Sequence, residues 1–297
     1  MAVKGLCMGA ADVVPGVSGG TMAFILGIYE ELLESIRSFD LTFLKRFFSL
    51  QFREAFQHLS WPFLCALFLG IMTAIFSLAR ILGWLLENKP VLIWSFFFGL
   101  ILASTLVISR HLKKWTPGLM VWLALGTVGT YFLVGMVPLS TPSAPWFLFL
   151  SGAVAICAMI LPGISGSFIL VLLGKYEYVL AAVKNLDFLT LLVVSAGALF
   201  GLVTFVRILN LLLKKYREIT ITLLTGLMLG SLRKVWPWKK SISAITGTKE
   251  QPEVLSQANV LPAHWNVDVT MALCLMVLGF LIVFLMNHWA SHKNQNA

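Results

Sequence analysis

The feature that most restricts how this chain can fold is a helix-breaking motif written twice inside apolar sequence. Pro15-Gly16-Val17-Ser18-Gly19-Gly20 and Pro162-Gly163-Ile164-Ser165-Gly166-Ser167 stand in constant register, which holds through Leu26-Gly27-x-Tyr29-Glu30 and Leu173-Gly174-x-Tyr176-Glu177. Proline lacks the amide donor of a helix and clashes with the preceding turn, so each copy interrupts a helix. In hydrocarbon the freed backbone groups are tolerated only where they are buried in protein or line a cavity. A pair of broken helices in corresponding positions points to a transporter with its site between two repeats.

Composition makes the surroundings lipid. The chain is 59% hydrophobic and 12% charged, with a mean hydropathy of +0.89, too few charges to cover a water-soluble domain. Six apolar runs approach the ~20 residues needed to cross a bilayer: 61–86, 91–109, 119–137, 188–213, the shorter 219–232, and 269–286. The motifs lie in two further apolar stretches, 3–34 and 146–183. Residues 3–11 are interrupted by glycine and run into Asp12 and the first break, so they read as part of the folded protein rather than a cleavable leader. Cys7, Cys65, Cys157 and Cys274 are scattered through apolar sequence without Cys-x-x-Cys spacing; they read as small hydrophobes, and no disulfide, metal or cofactor is expected. The formal charge of +9 is gathered at span ends, in Lys45-Arg46, 110–114, 214–217 and Lys239-Lys240. That is a membrane-boundary pattern suited to anionic lipid, not a nucleic-acid surface.

The repeat continues beyond the motifs. Arg80-Ile81-Leu82 matches Arg207-Ile208-Leu209, Gly70 matches Gly197, and Gly99-Leu100-x-Leu102-x-Ser104 matches Gly226-Leu227-x-Leu229-x-Ser231. The chain therefore divides into a first repeat, 1–144, and a second, 145–297, each a broken segment followed by three spans. The first carries an extra connection, 35–60, apolar and basic by turns, which reads as an interfacial amphipathic helix. If each broken segment is a re-entrant hairpin, each repeat crosses three times and the copies are inverted; if each crosses, the copies are parallel. Lysine and arginine placement leans toward the crossing arrangement, chiefly through the 233–249 connection, whose length makes it a weaker topology signal.

Three sets of residues can carry chemistry. The loops offer backbone N–H groups and the hydroxyls of Ser18, Thr21, Ser165 and Ser167, at helix starts that favour anions such as phosphate; the alternative is that the small residues only permit close helix packing. Arg80 and Arg207 are symmetric basic residues inside spans, where arginine suits bidentate phosphate contact, or else snorkels to the headgroups. Asp12, Glu30 and Glu177 are candidates for coupling to protons or sodium, although glutamates at a membrane boundary are as often simply solvated. Gly-x-Ser-Gly also resembles the rhomboid intramembrane proteases, but a serine nucleophile needs a histidine base, and His58, His111, His264, His288 and His292 all lie at span ends or in loops.

The two long motifs, Gly9-x-x-Asp12-x-x-Pro15-Gly16-Val17-Ser18-Gly19-Gly20-Thr21 with Gly27-x-Tyr29-Glu30, and Leu161-Pro162-Gly163-Ile164-Ser165-Gly166-Ser167 with Gly174-x-Tyr176-Glu177, resemble those of the bacterial polyprenyl-phosphate transporter family, PopT. The resemblance spans essentially the whole chain. It implies an all-α polytopic protein of the bacterial cytoplasmic (inner) membrane, with two inverted repeats, each a re-entrant helical hairpin plus three transmembrane helices. It also implies recycling of undecaprenyl phosphate from the outer to the inner leaflet. On that basis the hairpin topology is the expected one. The expected substrate-binding set is Ser18, Gly19, Gly20, Thr21, Ser165, Gly166 and Ser167 near midplane, with Arg80 and Arg207 at opposite faces. The polyprenyl tail stays in lipid, so only the head needs a polar route. A carrier of a small soluble anion is the competing transport reading. The 233–262 connection matches no motif.

Overall fold

A computed structural model describes residues 1–13, 18–39, 41–51, 53–54, 59–110, 112, 114–242, 256–262 and 264–295. Pro15, Gly16 and Val17 of the first motif, and His58 and His111, lie outside the described residues.

Each broken segment is three short helices. In the first copy these are α1 (Ala2–Val13), α2 (Gly19–Ile25) and α3 (Tyr29–Arg37). An eight-residue helix, α4 (Leu41–Phe48), falls in the extra connection, followed by α5 (Trp61–Asn88), α6 (Pro90–Ser109) and α7 (Pro117–Leu133). The second copy repeats the order as α8 (Pro145–Ile160), α9 (Gly166–Leu172), α10 (Tyr176–Lys184), α11 (Phe188–Lys215), α12 (Arg217–Val235) and α13 (Val267–Gln295). Three matched pairs have equal lengths: α2 and α9 have 7 residues, α3 and α10 have 9, and α5 and α11 have 28. Prolines at the first turns of α5, α6, α7 and α8 start those helices where a missing N–H costs nothing. Positive φ at Gly27 and Gly174, 65° and 62°, turns the chain between the second and third pieces of each broken segment.

Among the described residues four helices are long and apolar enough to cross a membrane, in Trp61–Leu78, Pro90–Ser109, Phe188–Lys215 and Val267–Leu285. The protein is a multi-pass, largely helical membrane protein. The α9–α10 pair is sharply bent, by 108°. The expected spans at 119–137 and 219–232 are helices of a different character. α7 ends at Leu133 and is shorter. α12 is less apolar because it packs on α6 and α7 inside the protein: Thr220, Thr222, Thr225 and Ser231 are buried, and each hydroxyl returns to a carbonyl three or four residues back.

The first helix of each broken segment and the three helices that follow it make equivalent contacts in the two copies. α1 packs on α5 and α8 on α11, whereas α6 packs on α13 of the other copy and α12 on α7 of the other copy. The copies are thus interleaved, and one apolar cluster joins Leu33, Ile101, Val206, Leu224 and Met228 from both. The matched glycines lie at these crossings. A methyl group at Gly70 would be driven into the Ala2 carbonyl oxygen, and one at Gly197 into that of Phe149. Small residues let membrane helices approach backbone to backbone.

One feature departs from the all-α expectation. Pro237 stops α12 and, by forcing Trp236 to be extended (φ −56°, ψ 128°), starts a strand. Strands β1 (Lys239–Ile242) and β2 (Ser256–Asn259) pair antiparallel, Lys239 opposite Asn259.

Candidate functional site

A broken helix leaves its last carbonyls without intrahelical donors. At the end of α8 those carbonyls are met by hydroxyls of the first copy. The Ser18 hydroxyl lies 2.9 Å from the Met159 carbonyl oxygen and 3.3 Å from that of Leu161, donating between them. The Tyr29 hydroxyl donates to the Ile160 carbonyl at 3.1 Å. In return the Gly163 N–H donates to Thr21 Oγ1 at 2.8 Å. The two motifs therefore meet directly, and Ser18 is 1% exposed. Gly20 permits the approach, since a Cβ there would strike the Ile160 carbonyl. Gly163 itself has φ +94° and lies against Leu227, Met228 and Ser231 of α12, which leaves no room for a side chain.

The start of α2 is already supplied with acceptors. Asp12 Oδ1 accepts from the Gly19 N–H at 2.7 Å, and Ser18 Oγ accepts from the Gly20 N–H at 3.1 Å. Asp12 thus occupies the position an anion would take at this helix start. The second copy has Met159 in place of Asp12, and its hydroxyls pair with each other, Ser165 Oγ to Ser167 Oγ at 2.7 Å. Neither Ser18 nor Ser165 bonds a histidine among the described residues.

The expected residues do not all converge. Ser18, Gly19, Gly20 and Thr21 are buried together, and Gly166 lies against Ala155 and Met159. Arg80 and Arg207 are on exposed faces of α5 and α11 and, among the described residues, bond no group of either loop. Glu30 is drawn away from the loops to Arg217, 2.7 Å distant, at the start of α12. Glu177 is exposed.

Several residues escaped the sequence reading. Glu34 pairs with Lys214 at 3.2 Å and Arg37 donates to Asn210 at 3.5 Å, so α3 is latched along one face to the end of α11. A cavity of about 300 Å³ lies among these groups. The signal was the spacing of Glu30, Glu34 and Arg37, three or four apart on one helix face. Lys175, the variable position of Gly-x-Tyr-Glu, is buried; its ammonium donates to the Thr141 carbonyl at 2.8 Å and to Ser143 at 3.2 Å. The matching residue, Ile28, gave no hint of this. At the start of α11, Asp187 is held below the usual carboxylate range by hydrogen bonds from the Thr190 side chain and N–H.

Comparison with known proteins gives the lineage. The model of the VCA0040-like, undecaprenyl phosphate translocase-like family matches residues 8–252. The chain belongs to that family. It is 47% identical to a polyprenyl-phosphate transporter of Vibrio cholerae serotype O1 over 264 residues, covering 89% of this chain and 86% of the relative. It is 32% identical to a polyprenyl-phosphate transporter of Staphylococcus aureus over 254 residues, covering 79% and 85%. No solved structure matches the chain. The matched residues include both motifs and Ser18, Tyr29, Met159, Ile160 and Leu161 of the junction between them.

Proposed function

We propose that this protein carries the phosphate head of undecaprenyl phosphate across the bacterial cytoplasmic membrane, from the outer to the inner leaflet, through a site between two inverted repeats. The observation that carries the reading is the direct junction of the two motifs in a chain whose relatives are named polyprenyl-phosphate transporters. The inter-loop bonds are the ones that substrate would replace. When the loops part, Ser18 and Tyr29 lose carbonyl acceptors, and Gly163 and Thr21 separate; a phosphate monoester has the oxygens to replace those acceptors. Gly19, Gly20, Ser165, Gly166 and Ser167 then line the opened site. Arg80 and Arg207 meet the head at the two faces.

The chain's asymmetry supports a carrier resting in one end state. Tyr29 is 3% exposed and bonded across the junction, whereas the equivalent Tyr176 is 39% exposed. α3 packs on α11, but α10 has no such packing on α5. One gate is closed and its counterpart open, as alternating access requires.

The test is leaflet exchange of undecaprenyl phosphate in proteoliposomes, across pH and sodium concentration, with Asp12→Asn, Glu30→Gln, Glu177→Gln, Arg80→Lys and Arg207→Lys. Exchange by the wild type well above that of empty liposomes is expected. At least one acidic variant should alter the pH or sodium dependence. The two lysine variants should lose phosphate capture on opposite sides, because lysine keeps the charge but not the bidentate fork. Absence of exchange, with transport of inorganic phosphate instead, would assign the protein to soluble anions. Unchanged ion dependence in all three acidic variants would remove them from coupling, and full activity of both lysine variants would leave the arginines as anchors.

A further inference from the structure

The end of α12, the start of α6 and the β ribbon enclose a cleft of about 670 Å³, lined by Trp94, Lys234, Trp238, Lys239, Lys240 and Leu261 among others. Among the described residues its electrostatics are one-sided. Three ammonium groups line it, and among the described residues no carboxylate pairs with any of them. The Lys239 ammonium lies 4.6 Å from the centre of the Trp94 ring and donates to the Lys234 carbonyl, which leaves two of its donors without a partner among the described residues. The Lys234 ammonium lies 4.7 Å from the ring of Phe168. Phe168 follows Ser165-Gly166-Ser167 on α9, so Lys234 joins the cleft to the second motif. The ribbon holds this geometry in place: the Trp236 indole donates to the Val260 carbonyl at 2.8 Å and Asn259 to the Arg233 carbonyl at 2.9 Å.

Like charges held together without counter-charge are costly, more so when partly removed from water. Burial and the neighbouring Lys234 hold Lys239 down at about 8. A bound anion reverses that cost. The remaining lining is tryptophan, proline, valine and leucine, which suits an anion attached to an apolar chain better than a free one. We propose that this cleft is a docking site for the phosphate monoester head of a prenyl lipid, separate from the paired loops, from which Lys234 passes the head to the second hairpin. The identity of the lipid rests on the function proposed above; the anion site rests on the lysines.

The test uses the full chain in nanodiscs of zwitterionic lipid, with farnesyl phosphate, inorganic phosphate and phosphatidylglycerol as separate probes. Lys239→Gln with Lys240→Gln should weaken farnesyl phosphate binding at least about tenfold, the loss of one to two charge-assisted hydrogen bonds. Lys239→Arg should retain most of it, and melting temperature should not fall in either protein. Phosphatidylglycerol and inorganic phosphate should bind more weakly and respond less. Undiminished farnesyl phosphate binding in the double variant, with a binding wild type, overturns the cleft and leaves the transport reading intact. Equal losses for phosphatidylglycerol would make it a general anionic-lipid patch, and inorganic phosphate binding as tightly as farnesyl phosphate would make it a free-anion site; either overturns the proposal. A wild type that binds inorganic phosphate but no farnesyl phosphate overturns the lipid class here and the transport reading together.

Discussion

At the residue scale the junction is a matter of orphaned carbonyls. Tyr29 is buried with its hydroxyl on the Ile160 carbonyl, while Tyr176, at the same place in the repeat, is exposed. Tyr29→Phe leaves that buried carbonyl unsatisfied and should destabilise the protein by about 1–2 kcal/mol. Tyr176→Phe should leave the melting temperature within error. Equal losses in both would mean that the two gates are equally closed. Lys239 gives a pH dependence with a definite sign. Its ordinary value of 10.5 falls to about 8 in the folded protein, so below pH 8 both folded and unfolded states are protonated and the folded state bears the full cost of the buried charge. Between about 8 and 10.5 the folded state sheds its proton first, and stability rises with pH. The groups facing Lys239 are Lys234 from α12, Lys240 from its own strand and the Trp94 ring from α6. Melting curves of wild type and Lys239→Gln from pH 7 to pH 10 should converge as pH rises, the variant being the more stable at pH 7; parallel curves would refute the buried charge.

At the scale of elements, the α3–α11 latch is the contact that would hold one gate shut in the proposed cycle. Its chemistry is not duplicated. Glu30, Glu34 and Arg37 correspond to Glu177, Ala181 and Lys184 on α10, and Asn210, Lys214 and Arg217 correspond to Gly83, Glu87 and Pro90. In the proposed cycle the two gates would therefore be held by different contacts, a difference written in the sequence. Both ion pairs are exposed, and such pairs contribute roughly 0.2–1 kcal/mol each. Glu30→Gln with Glu34→Gln should move the melting temperature little yet change the rate of lipid exchange, and high salt should do the same to the wild type. A variant with wild-type exchange at every ionic strength would show that the latch has no part in the cycle. The motifs in this scheme were legible in sequence because breaks are local: proline and glycine act on their own turn. The latch was not, because its partners stand in different repeats, 173 residues apart for Arg37 and Asn210 and 187 for Glu30 and Arg217, and only the packing of α3 on α11 brings them together.

For the whole molecule, interleaving is the decisive property. The second span of each copy packs on the third span of the other, so neither repeat can move without dragging a helix pair that belongs half to its partner. Sidedness tests the proposed inversion. Glu30→Cys and Glu177→Cys, labelled with a membrane-impermeant thiol reagent in oriented vesicles against a background lacking the native cysteines, should react from opposite sides. Reaction from the same side would favour parallel repeats, the arrangement toward which the lysine and arginine distribution leans.

The sequence by itself determined the two breaks, the long apolar helices, the repeat and, through its motifs, the family, because each of these is written in adjacent residues or in a fixed register. It also marked the glycines of the helix crossings, whose pairing follows from the repeat. Only the tertiary structure decided what the hydroxyls do. Ser18 and Tyr29 are spent on the carbonyls of Met159, Ile160 and Leu161, and a serine that satisfies a carbonyl looks the same in sequence as one that awaits a phosphate. The ribbon and its lysine cleft belong with these, since Trp94, Lys234 and Lys239 come from elements that meet only once the helices are packed. Local steric rules act along the chain and can be read there; hydrogen-bond partners and clustered charges are set by distances through space, and those exist only in the folded protein.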